Sequence, residues 1–92
     1  MDRLDAMAVF VSVAEAGSFS RASKSLGAPL TTVSRKVAQL EERLGARLFV
    51  RTTRRLGLTE KGSEYLERCK RILLLAKLGI ALRELQVEAA QT

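Results

Sequence analysis

The sequence predicts a mostly α-helical chain: three short helices, a two-stranded β-hairpin and a long fourth helix. Gly17, Gly27 and Gly45 each follow a stretch with helical periodicity, which is the usual position of a helix-ending glycine. After Gly45 the apolar residues alternate, as in strands, over the runs RLFVR and RLGLT. From Thr59 onward a helical period returns and persists to about Glu88. These observations predict the number and the order of the elements.

The first helix is expected from about Asp2 to Ala16, with Asp2 and Asp5 in the first turn, where the helix dipole favours carboxylates. Its buried face is expected to consist of apolar residues at helical spacing, with two adjacent apolar residues that widen it. This face comprises Leu4, Met7, Ala8, Val11 and Ala14, with Phe10 and Val13.

The second helix is expected to be short, from about Ser20 to Leu26. Ser18 and Ser20 are both candidates for its N-cap, since a serine hydroxyl accepts a hydrogen bond from a free N–H of the first turn. Ala22 and Leu26 are expected to face the core. The stretch GAPL then stops the helix, because glycine and proline both oppose its continuation.

The third helix is expected over Thr31–Leu44. Two helices joined by a tight, glycine-containing turn form a helix-turn-helix. The apolar residues of this helix recur at gaps of four, three and four, which gives one narrow stripe facing the core. The stripe consists of Val33, Val37, Leu40 and Leu44.

A β-hairpin directly after a helix-turn-helix forms a wing, and here its tip and shoulders carry three arginines. They are Arg51, Arg54 and Arg55. The alternative is an irregular surface loop with scattered arginines.

The long helix is expected to start at Thr59 and Glu60, a good capping residue and a suitable first-turn acid, with Gly62 and Gly79 weakening it locally. Two apolar stripes run along it, more than a small domain can bury. The first comprises Leu66, Cys69, Leu73, Ala76 and Ile80, and the second Leu75, Leu78, Leu82 and Leu85. We expect a second copy of the helix to cover the excess, as in a coiled coil. The alternative is that both stripes fold back on their own domain.

The net charge of +6 is concentrated in the middle of the 92-residue chain, since residues 21–61 carry ten basic side chains against three acidic ones. A concentrated basic zone indicates a polyanionic partner, either nucleic acid or an acidic membrane surface. The membrane is the poorer candidate, because these cations lie on a helix-turn-helix and a hairpin rather than opposite one apolar helix face.

Composition argues against an enzyme and against bound cofactors or metals. The chain has no histidine, a single cysteine and no glycine-rich phosphate loop, and so lacks a catalytic or metal-ligating constellation. We expect Cys69 to be a small core residue, and a lone thiol fits a reducing cytoplasm. After an enzyme, the second alternative to a nucleic-acid-binding protein is a dimerisation or scaffolding module that uses the same fold without binding nucleic acid.

The polar face of the third helix separates its charges along the helix. With the apolar stripe against the core, Thr31 and Arg35 point almost directly away from it. Thr32, Ala38 and Gln39 flank these two, and Ser34 and Lys36 lie at the edges. Arginine can pair with guanine and threonine methyls can touch thymine methyls, so this face suits a major groove.

Glu41 and Glu42, which phosphates would repel, lie at the far end of this helix. The alternative is an ordinary amphipathic helix with a solvated face.

Further contacts with double-stranded DNA are expected beside this helix. The arginines of the wing would reach the backbone or the adjacent minor groove. Ser20 and Arg21, at the start of the second helix, would contact phosphate, although Ser20 is also a candidate cap.

The stretches GSFSRASKSLG and TTVSRKVAQLEERLGARLFVRTTRRLGLTEKG resemble the N-terminal domain of the LysR-type bacterial transcriptional regulators. The most diagnostic parts are VSRKVAQLEERLGARLFVR and LTEKG, and the resemblance covers roughly residues 3–75. It implies a winged helix-turn-helix over residues 1–58 and a linker helix over 59–92 through which subunits dimerise. It also implies repression or activation at promoters that contain an interrupted inverted repeat, often A·T-rich. By matching position, Ser34, Arg35 and the wing arginines would contact DNA.

This sequence differs from the family pattern in two respects. Family members often have a polar residue, commonly Gln, where this chain has Leu30, and Pro or a small residue at Thr31. Leu30 cannot hydrogen-bond a base, but it can touch a thymine methyl or simply pack. The family also has a large C-terminal domain that senses a small molecule, whereas this sequence stops at Thr92, so an effector is expected only if a C-terminal domain exists. For a full-length protein the resemblance implies a tetramer, located in the bacterial cytoplasm at the nucleoid.

Overall fold

The elements occur in the number and order that the sequence predicts. The computed structural model describes residues 3–52 and 55–91. Asp2 and Arg54, to which the sequence assigns roles, lie outside the described residues. In chain order the elements are α1 (Arg3–Ala16), α2 (Phe19–Leu26), α3 (Leu30–Leu44), β1 (Phe49–Arg51), β2 (Leu56–Leu58) and α4 (Glu60–Gln91).

Helix α1 lies at the centre of the domain, in contact with α2, α3 and α4. The expected buried face is wrong in part, because a helix covered on several sides does not bury a single stripe. Leu4 is 44% exposed, and Ala8, Val11 and Ala14 are only partly buried. The residues that α1 does bury are Ala6, Met7, Val9, Phe10 and Val13.

Helix α2 starts one residue earlier than expected, because Ser18 is its N-cap. Ser18 has extended backbone angles, and its Oγ accepts a hydrogen bond from the N–H of Arg21 at 3.2 Å. Ala22 is fully buried as expected. Leu26 was expected to be buried too, but it is exposed, since it is the last residue of the helix and lies at the rim of the domain.

Helix α3 buries Val33, Val37 and Leu40, as its stripe predicts. The prediction is wrong for Leu44, which is 43% exposed. This residue ends the helix, and the chain turns away at Gly45, whose φ of 64° is the left-handed conformation of a C-cap.

The two strands form an antiparallel hairpin, so the alternative of an irregular loop is excluded. Phe49 pairs with Leu58, and Arg51 pairs with Leu56. Thr52 donates its N–H to the carbonyl oxygen of Arg55 at 3.0 Å. The strands are shorter than the runs RLFVR and RLGLT, because only three residues of each run join the ladder.

Helix α4 is capped by Thr59 as expected, since the N–H of Gly62 donates to Thr59 Oγ1 at 2.9 Å. Its first three turns pack on the core, where Cys69 is fully buried. Ile80, expected at the end of the buried stripe, is 60% exposed, because α4 has by then left the domain. The second stripe does not fold back either. Its members, Leu75, Leu78, Leu82 and Leu85, are 51–66% exposed.

A chain of aromatic contacts runs through the core and joins the hairpin to α4. The ring centroid of Phe10 lies 5.3 Å from that of Phe49 and 5.5 Å from that of Tyr65. Phe19 meets Phe49 edge-on at 5.6 Å. Within the described residues, none of the helices is both long enough and apolar enough to span a membrane.

Candidate nucleic-acid interface

The outer face of α3 is open to solvent at its N-terminal half. Thr31 and Arg35 are exposed, and the buried Val33 and Val37 lie on the other side of the helix. Packing against α1 and α2 fixes the inner side and leaves the outer side protruding. Of the other residues assigned to this face, Thr32 and Ser34 are half-buried and Gln39 is exposed. Their orientation agrees with the sequence analysis, and their contact with DNA stays a prediction.

Leu30 is the first residue of α3 and is 45% exposed. The sequence left two roles open for Leu30, contact with a thymine methyl and simple packing. Its exposure does not agree with simple packing. An apolar side chain at the exposed start of the helix has the chemistry to touch a thymine methyl.

Lys36 has a partner that the sequence did not reveal. Its ammonium group forms an ion pair with the carboxylate of Asp5 on α1, and the Lys36 side chain is 26% exposed. The pair connects α3 to α1, so Lys36 helps to hold α3 in addition to any role in binding DNA.

The start of α2 separates the two candidate serines. Ser18 caps the helix, whereas Ser20 is exposed and its hydroxyl has no hydrogen-bond partner among the described residues. Arg21 is exposed beside it. Ser20 and Arg21 therefore keep donors that are available to a phosphate.

One arginine of the hairpin contacts the start of α2, beside the contact between Phe49 and Phe19. The guanidinium carbon of Arg51 lies 4.2 Å from the centroid of the Phe19 ring, within the range of a cation–π contact. Arg55, directly before β2, is exposed. Phe19 was not predicted from the sequence, although an aromatic residue inside a basic segment is a signal that can mark such a contact.

The acidic end of α3 has a structural function that sequence reasoning also missed. The carboxylate of Glu41 accepts a hydrogen bond from the N–H of Leu48 at 2.8 Å and lies 3.8 Å from the guanidinium of Arg47. It thereby fixes the connection between α3 and β1. Glu42, at the same end of the helix, is exposed.

The two groups whose pKa is shifted, Tyr65 and Cys69, lie on α4 where this helix packs against the core. Burial raises the pKa of Tyr65 to about 12, and the neighbouring Cys69 adds to the shift, while Arg3 and Arg43 oppose it. Burial also raises the pKa of the Cys69 thiol. A buried, protonated thiol is a packing group, as expected for Cys69. No three metal-ligating side chains come together within residues 3–52 and 55–91.

The surface just described combines outward hydroxyls, amides and guanidiniums on a protruding helix with cations on a hairpin beside it. The sequence model described as "Bacterial regulatory helix-turn-helix protein, lysR family" matches residues 4–63. The chain belongs to the LysR family. Its winged helix-turn-helix contains the region that this family model describes, and the relatives that match it are named transcriptional regulators.

Two LysR-family relatives illustrate the similarity. The chain is 66% identical over 64 residues, 70% of its length, to an HTH-type transcriptional regulator of Xanthomonas campestris pv. campestris (strain 8004). It is 53% identical over 73 residues, 79% of its length, to an HTH-type transcriptional repressor of Pseudomonas aeruginosa (strain UCBPP-PA14). The matched region is 19% of the first relative and 23% of the second, so the chain spans about a fifth of their length.

A solved LysR-family structure has the same fold and contains DNA. The complex of the CbnR DNA-binding domain with DNA superposes with a TM-score of 0.82 at 33% identity. The superposition covers 95% of this chain and 98% of the CbnR domain. The similarity therefore extends into α4, beyond residues 4–63.

Proposed function

We propose that the chain binds double-stranded DNA sequence-specifically, as a dimer on an interrupted inverted repeat within a promoter or operator. The N-terminal half of α3 enters the major groove, and the wing arginines lie on the backbone or in the adjacent minor groove. The observation that carries the proposal is the polarity of α3: exposed Thr31 and Arg35 at one end, and a Glu41 carboxylate engaged with Leu48 at the other.

The chemistry of the exposed end suits base edges and phosphates. Arg35 can donate two parallel hydrogen bonds to the O6 and N7 atoms of guanine. Thr32 and Ser34 can bond bases or phosphates, and the N–H groups at the start of α3 add donors for a phosphate. The proposed contact residues are Ser20, Arg21, Leu30, Thr31, Thr32, Ser34, Arg35, Lys36, Gln39, Arg51, Arg54 and Arg55.

Dimerisation through residues 59–88 accounts for the apolar surface of α4. Leu75, Leu78, Leu82 and Leu85 recur at gaps of three, four and three and are exposed in the single chain. A second copy of α4 would bury them, since two helices with such stripes pack as a coiled coil. A two-fold axis between the copies would match the symmetry of an inverted repeat.

These two proposed roles, DNA binding and dimerisation, divide the chain into two parts. Residues 1–58 form the DNA-binding domain, and residues 59–92 form the linker helix. The protein acts at the bacterial chromosome in the cytoplasm. In a full-length relative of this chain, a C-terminal domain would add an effector site and assembly into a tetramer.

Binding to a labelled DNA duplex at several salt concentrations tests the proposal. Selection from a random DNA library at physiological salt first supplies the bound sequence, and a palindrome with a gap is the expected result. Affinity for that duplex should then fall steeply between about 50 and 200 mM salt, since each phosphate contact releases counterions. A protein-binding module without a DNA function would show no such loss.

Two arginines of the same helix provide the matched comparison. Arg35→Ala should weaken binding by roughly 1–3 kcal/mol and relax the preference at one base pair. Arg43→Ala removes the same charge at the far, exposed end of α3 and should have a much smaller effect. Equal effects of the two substitutions would contradict the assignment of the N-terminal half of α3 to the groove.

A further inference from the structure

Arg51 rests on the face of Phe19, although the two residues belong to different elements. The guanidinium carbon is 4.2 Å from the ring centroid. Arg51 is exposed, and no carboxylate of the described residues forms an ion pair with it. Because it lacks a charged partner, the ring is the feature that gives this guanidinium a defined position.

The Phe19 ring that contacts this guanidinium is itself held in place by packing. Its ring meets the buried Phe49 edge-on at 5.6 Å, and Phe49 in turn packs on Phe10 at 5.3 Å. Its backbone is fixed as well, since Phe19 is the first residue of α2 and directly follows the Ser18 cap. The ring therefore packs against the core and also offers a face to Arg51.

The position of the ring brings the wing to the start of α2. Ser20 and Arg21 directly follow Phe19, and both are exposed. Stacking on Phe19 thus places the wing guanidinium against the first residue of α2, whose next two residues carry groups that can bond phosphate oxygens. A free arginine side chain on a hairpin loses rotamer freedom when it binds a phosphate. An arginine that already rests on an aromatic ring loses less of this freedom.

We propose that Phe19 is a positioning residue for DNA binding: its ring holds the Arg51 guanidinium beside the start of α2, so that wing and helix contact one stretch of the DNA backbone together. The inference rests on the proposed function. It assigns Phe19 an effect on affinity that passes through Arg51 and involves no contact between Phe19 and DNA.

A double-mutant cycle separates this role from ordinary packing. The variants are Phe19→Leu, Phe19→Tyr, Arg51→Ala and the pair Phe19→Leu/Arg51→Ala, and the probe is a fluorescein-labelled duplex of mixed sequence. Phe19→Leu keeps an apolar side chain but removes the π face, and should weaken binding about two- to fivefold. Phe19→Tyr keeps the face and should bind like the wild type. In the Arg51→Ala background, Phe19→Leu should have no further effect.

Arg51→Lys provides a test that leaves Phe19 in place. Lysine keeps the charge but lacks the planar guanidinium that stacks on an aromatic ring. We expect binding to weaken about two- to fivefold, while the slope of log affinity against log salt stays that of the wild type. Arg51→Ala, in contrast, should reduce that slope by about one phosphate contact.

The outcomes distinguish the inference from the proposed function. If the wild type shows no salt-dependent DNA binding, the proposed function fails and the inference fails with it. If the wild type binds but Phe19→Leu costs as much in the Arg51→Ala background as alone, Phe19 acts through packing and the inference is overturned. Wild-type affinity of Arg51→Lys would overturn it as well. Thermal unfolding of each variant, followed by circular dichroism, identifies losses that come from the fold.

Discussion

The carbonyl oxygen of Leu48 lies against Gly62, only 2.0 Å from the position that a Cβ atom on Gly62 would occupy. The same carbonyl oxygen accepts a hydrogen bond from the N–H of Thr59 at 3.0 Å. The first turn of α4 is thus docked directly on the backbone that leads into β1. Gly62 was expected only to weaken the helix, and the structure shows instead that its missing side chain permits this close approach.

Replacement of Gly62 by alanine should therefore destabilise the domain. The obstacle is a backbone atom, which cannot swing aside as a side chain does, so we expect a loss of about 1–3 kcal/mol in the free energy of unfolding. Gly79→Ala is the matched control, since nothing lies within 4 Å of a Cβ there and alanine favours a helix interior by up to about 1 kcal/mol. Urea unfolding followed by circular dichroism measures both. A Gly62→Ala protein as stable as Gly79→Ala would show that α4 does not dock in this way.

Glu41 should contribute to stability through the N–H of Leu48. Glu41→Ala leaves this N–H without its acceptor, and an unsatisfied, part-buried donor costs about 1–3 kcal/mol. The neighbouring Glu42 is exposed, and its side chain has no partner among the described residues, so Glu42→Ala should change stability by less than about 0.5 kcal/mol. Faster exchange of the Leu48 amide hydrogen in Glu41→Ala alone would identify the contact. Similar losses for both substitutions would exclude it.

The two serines at the start of α2 should separate stability from binding. Ser18→Ala removes the N-cap and should cost about 0.5–2 kcal/mol in the free energy of unfolding. Ser20→Ala removes an exposed hydroxyl, so it should leave the unfolding midpoint within error of the wild type and weaken DNA binding if Ser20 contacts phosphate. Thermal unfolding and fluorescence anisotropy on the same samples check both effects. If Ser20→Ala lowered the unfolding midpoint as much as Ser18→Ala, the assignment of the cap would be wrong.

Elements of this fold were predictable because their signals are local. Gly27 and Gly45 adopt the left-handed conformation that ends α2 and α3, and the switch to alternating apolar residues predicted the hairpin. The outward direction of Thr31 and Arg35 followed from the position of the apolar stripe alone. Each of these features depends on residues that are near neighbours in the sequence.

The errors of the sequence analysis arise where distant elements meet. Leu4, Leu26 and Leu44 have the correct spacing for burial but lie beyond the elements that would cover them, and periodicity does not tell how far a covering helix extends. The contact of Arg51 with Phe19 joins a strand to a helix 32 positions earlier, and no local pattern marks such a pair. The outward direction of the candidate face was thus predictable, whereas the contacts that hold its surroundings were not.

Tyr65 should report the integrity of the core through its titration. It is the one tyrosine of the chain, so absorbance of tyrosinate at alkaline pH has a single source. Burial raises the pKa of Tyr65 from 10.0 to about 12 in the folded chain, which means that the folded state holds the phenolic proton more tightly than the unfolded state. The stabilisation linked to this proton is fully present below a pH of about 10 and is lost as the pH rises toward 12. Between these values the native chain should stay largely protonated while the urea-unfolded chain ionises, and Tyr65→Phe should lose less stability over the same range. A native tyrosine that titrated together with the unfolded one near pH 10 would contradict the packing of this α4 side chain against Phe10 of α1.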